Sequence, residues 1–340
     1  MTFMLSEIDA AGAGIGRQLA ANRDILAALG ARLRALDPPL IATIARGSSD
    51  CCALYLKYLA EIALGAPCAS LGPSIATLYG APLRLAGAVA LSVSQSGRSP
   101  DIVELQRSAR HGGALTIALV NDVDSPLARE AEALLPLAAG PERSVAATKS
   151  MIAGLVAGAS LIAAWREDSV LAEALAALPA ILEAQTAPPP EAMLDSLAGA
   201  QNAFVLGRGA TLAIAAEAAL KLKETCALHA EAFSSAEVRH GPMAIVGDGF
   251  PVLALATVDT AGEGVRDVVA EFADRGAAVL LADASGPLEG AIHLPSLATA
   301  PALEPILLIQ SFYRLANALS LARGLNPDTP PHLNKVTRTV

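Results

Sequence analysis

The sequence predicts an α/β fold of two tandem three-layer α/β/α domains on parallel sheets, with a helical N-terminal extension and a C-terminal tail. Three observations predict it. Short apolar, β-branched runs that end in Gly, Ser or Asp alternate with longer amphipathic stretches, the pattern of strand–helix–strand crossovers. The halves also repeat: Arg46-Gly47 recurs as Arg208-Gly209, Ala88–Val93 as Pro251–Ala256, and His111-Gly112-Gly113-Ala114 as Arg275-Gly276-Ala277. The offset stays near 162 residues, so the repeat is a duplicated domain rather than a solenoid. Finally, 340 residues that are 53% hydrophobic supply more apolar material than one small core requires.

Residues 1–34 are expected to form the helical extension. Glu7 and Asp9 precede the apolar positions of Met1–Leu19, and no basic segment leads into an apolar core, so no secretion signal is read there. Gly12-Ala13-Gly14-Ile15-Gly16 mimics a dinucleotide fingerprint but follows no strand, and is set aside. The first domain, 35–185, has strands at Leu40–Ala45, Val89–Ser94 and Ala114–Val120 and helical spacing over Asp101–His111. Within it Met151–Trp165 is closed by Lys149 and Arg166 before it could span a bilayer, and reads as a buried helix. Thr186-Ala187-Pro188-Pro189-Pro190 marks a linker over 186–194. The second domain, 195–325, has strands at Ala203–Leu206, Val252–Thr257 and Ala277–Ala282 and a helix over Val265–Arg275. A Pro-rich, irregular tail follows over 326–340.

A net charge of -9, with no Lys/Arg cluster interleaved with aromatics, argues against a nucleic-acid partner. With neither signal nor span read, the expected location is cytoplasmic, away from membranes. Cys51, Cys52, Cys68 and Cys226 lack C-x-x-C spacing and are expected to be buried reduced thiols. His229, Glu231, Glu237 and His240 fit no zinc or di-metal spacing, so no metal is expected there.

The chemistry-bearing residues cluster at turns. Leu91–Asp101 reads as a strand that breaks into a hydroxyl-rich turn before a helix, at the sheet edge where open α/β folds bind ligands. Helix N-terminal N–H groups with Ser94, Ser96 and Ser99 suit a phosphate dianion; the same serines also suit helix caps. Arg46-Gly47-Ser48-Ser49-Asp50 repeats the device after the first strand and adds two hydroxyls to that edge. Glu142-Arg143-Ser144-Val145-Ala146-Ala147-Thr148-Lys149 reads as another loop entering a helix near Ser150. In Glu217–Glu224, Lys221 and Glu224 share a helix face whereas Lys223 points elsewhere; a solvated salt bridge is the plain account of that pair. His229–Pro242 reads as a polar stretch that ends in a turn, where His240 is poorly placed for a core role.

Six ordered motifs together resemble the tandem SIS (sugar isomerase) domain family, which includes the isomerase half of glucosamine-6-phosphate synthase. They are Ser94-Gln95-Ser96-Gly97, Ala146–Lys149, Gly207-Arg208-Gly209, Ala219–Glu224, His229–Ala232 through Pro242, and Asn326-Pro327-Asp328 through Lys335. The resemblance implies tandem SIS domains of flavodoxin- or Rossmann-like type, and a homodimer. It implies that Gly47, Ser48, Ser49, Ser94, Gln95, Ser96 and Ser99 hold a sugar phosphate, with Val145 and Ala147 lining the site. Glu224 would shuttle a proton between C1 and C2, Lys221 would stabilise charge beside it, and His240, supplied by the partner subunit, would open the ring. Lys335 would lie near the sugar carbonyl, where an amine can form an imine, with the tail as a lid.

The chain starts Met1-Thr2-Phe3 without the synthase's glutaminase segment, Arg98 stands where an acidic residue is usual, and Ala147 where a serine is common. These departures resemble the stand-alone branch of glucosamine-6-phosphate deaminases, which yields fructose 6-phosphate and ammonia without cofactor. A fructosamine-6-phosphate deglycase and an aldose–ketose isomerase are the enzymatic alternatives. A sugar-phosphate-sensing regulator is the non-enzymatic one, opposed by the joint presence of Lys221, Glu224, His240 and Lys335.

Overall fold

The structure, a computed structural model, describes residues 1–335. The end of the expected tail, 336–340, lies outside the described residues. In chain order the elements begin α1 (Phe3–Asp9), α2 (Ala11–Leu36), β1 (Ile41–Ile44), α3 (Ser48–Leu64), β2 (Cys68–Ser70), α4 (Ser74–Thr77), β3 (Val89–Ser94) and α5 (Pro100–His111). There follow β4 (Leu115–Val120), α6 (Pro126–Glu130), β5 (Ala133–Pro136), α7 (Lys149–Arg166), α8 (Ser169–Ala184), α9 (Glu191–Ala198), β6 (Asn202–Gly207) and α10 (Ala210–Cys226). The last are β7 (His229–Ser234), β8 (Pro251–Leu255), α11 (Thr260–Asp274), β9 (Ala278–Asp283), β10 (Ala291–Pro295) and α12 (Glu304–Ala322). They belong to two compact units. The first-sheet unit holds Ala11–Glu142, Lys149–Pro179 and, of the described tail, residues 334–335; the second-sheet unit holds Met1–Ala10, Arg143–Thr148 and Ala180–Leu333.

The first-sheet unit carries five parallel strands in the order β2-β1-β3-β4-β5. All six residues of β4 and the first five of β3 are buried, as a strand covered on both faces must be. One face packs Ile44, Ala90, Ala118 and Val120 against Ile102, Leu105 and Ala109 of α5 and Leu127 of α6. The other carries α3 and α7, with α2 laid against α7. The apolar run at Met151–Trp165 lies within α7, buried at every position but Ala164.

The second-sheet unit has five parallel strands in the order β7-β6-β8-β9-β10, which is the first order with each strand replaced by its counterpart. Phe204, Val252, Ala254, Val279 and Leu281 meet Val265, Val268, Val269 and Phe272 of α11 on one face; α10 packs on β6 and β8 and against α12. The duplication extends to backbone angles. Gly47, before α3, has φ 57° and ψ -135°; Gly209, before α10, has φ 59° and ψ -133°, a region that glycine alone enters without strain.

Six expected strands are present, and four more were not anticipated: β2, β5, β7 and β10. Each is a sheet edge. The polar stretch from His229 is therefore partly a strand, with His229 and Glu231 exposed. Among the described residues the cysteines form no disulfide, but only Cys52 and Cys226 are buried; Cys51 and Cys68 are half-buried. The Gly12–Gly16 run lies inside α2, as its lack of a preceding strand required. Among the described residues no helix is long and apolar enough to cross a membrane.

Candidate active site

In the first-sheet unit, the residues expected to hold a phosphate gather on two turns at the carboxyl ends of β1 and β3. Arg46 donates through its guanidinium to Asp101 Oδ2 at 3.0 and 2.9 Å, and Asp101, 1% exposed, accepts the Ile102 N–H at 2.9 Å. A buried aspartate in the first turn of α5 thus ties the β1 turn to the β3 turn. Gly47 makes the bend that starts α3, leaving Ser48 and Ser49 half-buried at its first turn.

The second turn is folded by its own hydroxyls. Ser94 Oγ accepts the Gly97 N–H at 3.0 Å and Ser96 Oγ the Arg98 N–H at 3.3 Å. Gly97 has φ 60°, and a Cβ there would lie 2.1 Å from Ser125 Oγ, so no other residue fits. Ser99 precedes α5 as its N-cap residue without a side-chain cap hydrogen bond, so capping does not account for it. Arg98 pairs with Asp122 at 2.6 Å on the surface.

The same edge continues toward the tail lysine. Asn121 donates its N–H to Ser94 O at 3.3 Å, its side chain accepts from Ala139 N at 2.8 Å and donates to Gly140 O at 3.1 Å. Two residues on, Glu142 meets Lys335 Nζ at 3.0 Å.

In the second-sheet unit, Glu217, Lys221 and Glu224 lie on one face of α10. Lys221 Nζ is 3.3 Å from Glu217 Oε1 and 2.5 Å from Glu224 Oε2, and Tyr313 Oη donates to Glu217 Oε1 at 2.8 Å. Side-chain exposure is 0% for Glu217, 1% for Lys221 and 23% for Glu224, so the row runs from the core to a surface-reaching carboxylate. The pair is a salt bridge, but a buried one rather than the solvated one that spacing alone suggests. Burial by itself lowers the Lys221 pKa; the Glu217 and Glu224 carboxylates outweigh it and raise the group above the ordinary lysine value. Lys223, as expected, turns away, to Ala230 O at 3.2 Å.

The segment Arg143–Thr148 belongs to this unit as well. Glu7 accepts the Arg143 N–H in a short contact and the Ser144 N–H at 3.3 Å, while the Val145 N–H donates to Asp328 O at 3.0 Å. Pinned so, the strip alternates: Ser144, Ala146 and Thr148 are buried, Val145 and Ala147 half-buried. Asp328 in turn accepts the Phe3 and Met4 N–H groups, each at 2.8 Å. His240 ends a 3-10 turn, Glu237–His240, seated by buried Val238; the imidazole is exposed, with no hydrogen bond or ion pair among the described residues.

Thus Gly47–Ser49 and Ser94–Ser99 share one edge, and Lys221 and Glu224 share a helix face. Three supporting carboxylates escaped the sequence reading. Glu217 carried a local signal, four residues before Lys221 on the same face. Asp101 and Glu142 carried none, since their partners are distant in sequence.

Tandem parallel sheets of one strand order, with a hydroxyl-lined turn at one carboxyl edge, define a duplicated α/β protein. The chain belongs to the SIS domain family, whose model matches residues 37–164 and 196–285. A Silicibacter pomeroyi protein solved as a candidate phosphosugar isomerase is 45% identical, with a TM-score of 0.91, covering 96% of this chain and 100% of that one. The C-terminal domain of glucosamine-fructose-6-phosphate aminotransferase from Francisella tularensis is 25% identical, with a TM-score of 0.85, over 97% of this chain and 98% of that one. The glutamine–fructose-6-phosphate aminotransferase (isomerizing) of Bradyrhizobium diazoefficiens is 33% identical over 311 residues, 87% of this chain and 51% of the relative. The chain therefore spans about half the length of such curated relatives.

Proposed function

We propose that the chain is a phosphosugar isomerase of deaminase type, acting on glucosamine 6-phosphate. The observation that carries this reading is the α10 row. Glu224 is a carboxylate that reaches the surface, backed by a buried ammonium that Glu217 fixes in place. Proton transfer between adjacent carbons needs a carboxylate held over one face of an open-chain sugar, and a fixed cation to answer the negative charge that builds as C–H is lost. The serine turns supply the phosphate hold through hydroxyls and the first N–H groups of α3.

The reaction then runs as follows. His240, from a partner subunit, assists ring opening to the C1 aldehyde. Glu224 takes the proton from C2 and returns it to C1 while a proton of the amine passes to O1, so the C1 aldehyde becomes an alcohol and the C2 amine a C2 imine. Water adds to that imine and ammonia leaves, giving fructose 6-phosphate. Lys221 balances charge beside Glu224, and Lys335 attends the carbonyl end of the open chain.

The test is ammonia release from glucosamine 6-phosphate, with fructose 6-phosphate followed by a coupled assay. Both products should form in equal amounts without glutamine. Glu224→Gln is expected to bind the sugar phosphate normally and lose at least about 10²-fold in turnover. Undiminished turnover in that variant removes Glu224 as the base; ligand binding without either product removes the deaminase reading.

A further inference from the structure

Glu142 has no place in the chemistry above, yet its side chain is 0% exposed and it is a carboxylate. Such a group survives burial only where donors surround it. Two come from the start of α7: Ser150 N–H donates to Oε1 at 3.1 Å and Ser150 Oγ to Oε2 at 2.6 Å. Here the carboxylate also meets the positive end of an 18-residue helix. A third donor is the Lys335 ammonium, 3.0 Å from Oε2.

The lysine arrives from 193 residues away, at the end of a stretch, 331–334, that is exposed throughout. Those four residues make no hydrogen bond or ion pair among the described residues. Glu142 itself cannot drift, because Ser150 and the end of α7 hold it. A rigid buried anion therefore meets a mobile-type side chain at the end of an exposed segment, next to the edge that Asn121 links to Ser94.

We propose that Glu142 is a positioning residue: it anchors the Lys335 ammonium to the N-terminus of α7 and so sets where the tail lysine stands. Its catalytic consequence rests on the phosphosugar reading; the anchoring does not. Glu142→Gln suits the test, since an amide keeps both bonds to Ser150 and removes the charge that holds Lys335. Ser150→Ala is the control, weakening the helix side of Glu142 and leaving the charge.

Trypsin reads the anchoring directly, because cleavage after Lys335 needs that side chain released from its partner. In the native full chain, Glu142→Gln should speed release of residues 336–340 by roughly tenfold, the factor for about 1.4 kcal/mol of local opening. Its melting temperature should match wild type, and Ser150→Ala, which loosens Glu142 but keeps its charge, should speed cleavage by less than Glu142→Gln does. With glucosamine 6-phosphate as substrate, kcat should fall about as far as in Lys335→Ala, with KM held. An unchanged cleavage rate in Glu142→Gln overturns the anchoring. Faster cleavage with unchanged kcat, in an enzyme that needs Lys335, overturns the positioning role. If wild type turns over no sugar phosphate, the reaction reading fails while the tryptic comparison still decides the anchoring.

Discussion

A lysine with 1% of its side chain exposed costs several kcal/mol to desolvate unless its charge is answered, and Lys221 is answered twice, by Glu217 and Glu224. Burial pulls its pKa down and the two carboxylates push it up further, so the folded group titrates above the ordinary value of 10.5. A folded pKa above the unfolded one means that the stabilisation is complete below the unfolded value and is lost only as pH climbs through the raised one. Wild type should therefore show no loss from this group up to about pH 10. Glu217→Gln removes one answer; it should cost about 3 kcal/mol at neutral pH and, by bringing the folded pKa back toward the unfolded one, shrink the decline that wild type shows above about pH 10. Thermal melts across pH 7 to 11 check both, and parallel curves for the two proteins would contradict the assignment of the shift to Glu217.

Between α2 and α7 the packing rests on a glycine. A Cβ at Gly30 would lie 2.5 Å from the Ala164 carbonyl oxygen, a backbone atom that cannot swing aside. Gly30→Ala should force the helices apart and cost about 2 kcal/mol in chemical denaturation. The α10 terminus offers the opposite case. Ala227 is left-handed, φ 49° and ψ 35°, where its counterpart after α3 is Gly65 at φ 68°. Ala227→Gly should gain roughly 0.5 kcal/mol, the relief of αL strain less the added freedom of the unfolded chain. Legibility at this scale follows burial. Interior strands such as β4 are apolar on both faces and stand out as runs, whereas β2 has three residues, none fully buried, and β7 exposes His229 and Glu231. The site divides in the same way. Ser94–Ser99 and the Lys221/Glu224 face are local patterns, but Tyr313 and Glu217 are 96 residues apart, and Lys335 and Glu142 are 193 apart, so no local spacing reveals them.

Duplication gives the molecule two sheets of one strand order, and it would give two phosphate sites if the carboxyl edges were equivalent. They are not. After β3 the turn offers serine hydroxyls, whose O–H can still point to a phosphate where the oxygen accepts an N–H. After β8, Thr257 donates to Asp259 Oδ1 at 2.7 Å, the same oxygen accepts the Gly262 N–H at 3.0 Å, and Glu304 Oε2 takes the Val258 N–H at 2.6 Å. Burial lifts the Glu304 carboxyl above its usual range, against the pull of that N–H. Carboxyl groups of the protein already hold the donors that an incoming anion would need, and a phosphate there would meet them as like charges. Each chain should thus bind one fructose 6-phosphate, by calorimetric titration. Ser96→Ala should weaken it roughly tenfold or more, as for a hydrogen bond to a charged group, while Thr257→Ala leaves the affinity unchanged within about twofold. A stoichiometry of two, or equal losses in the two variants, would show that both copies of the duplicated turn still bind phosphate.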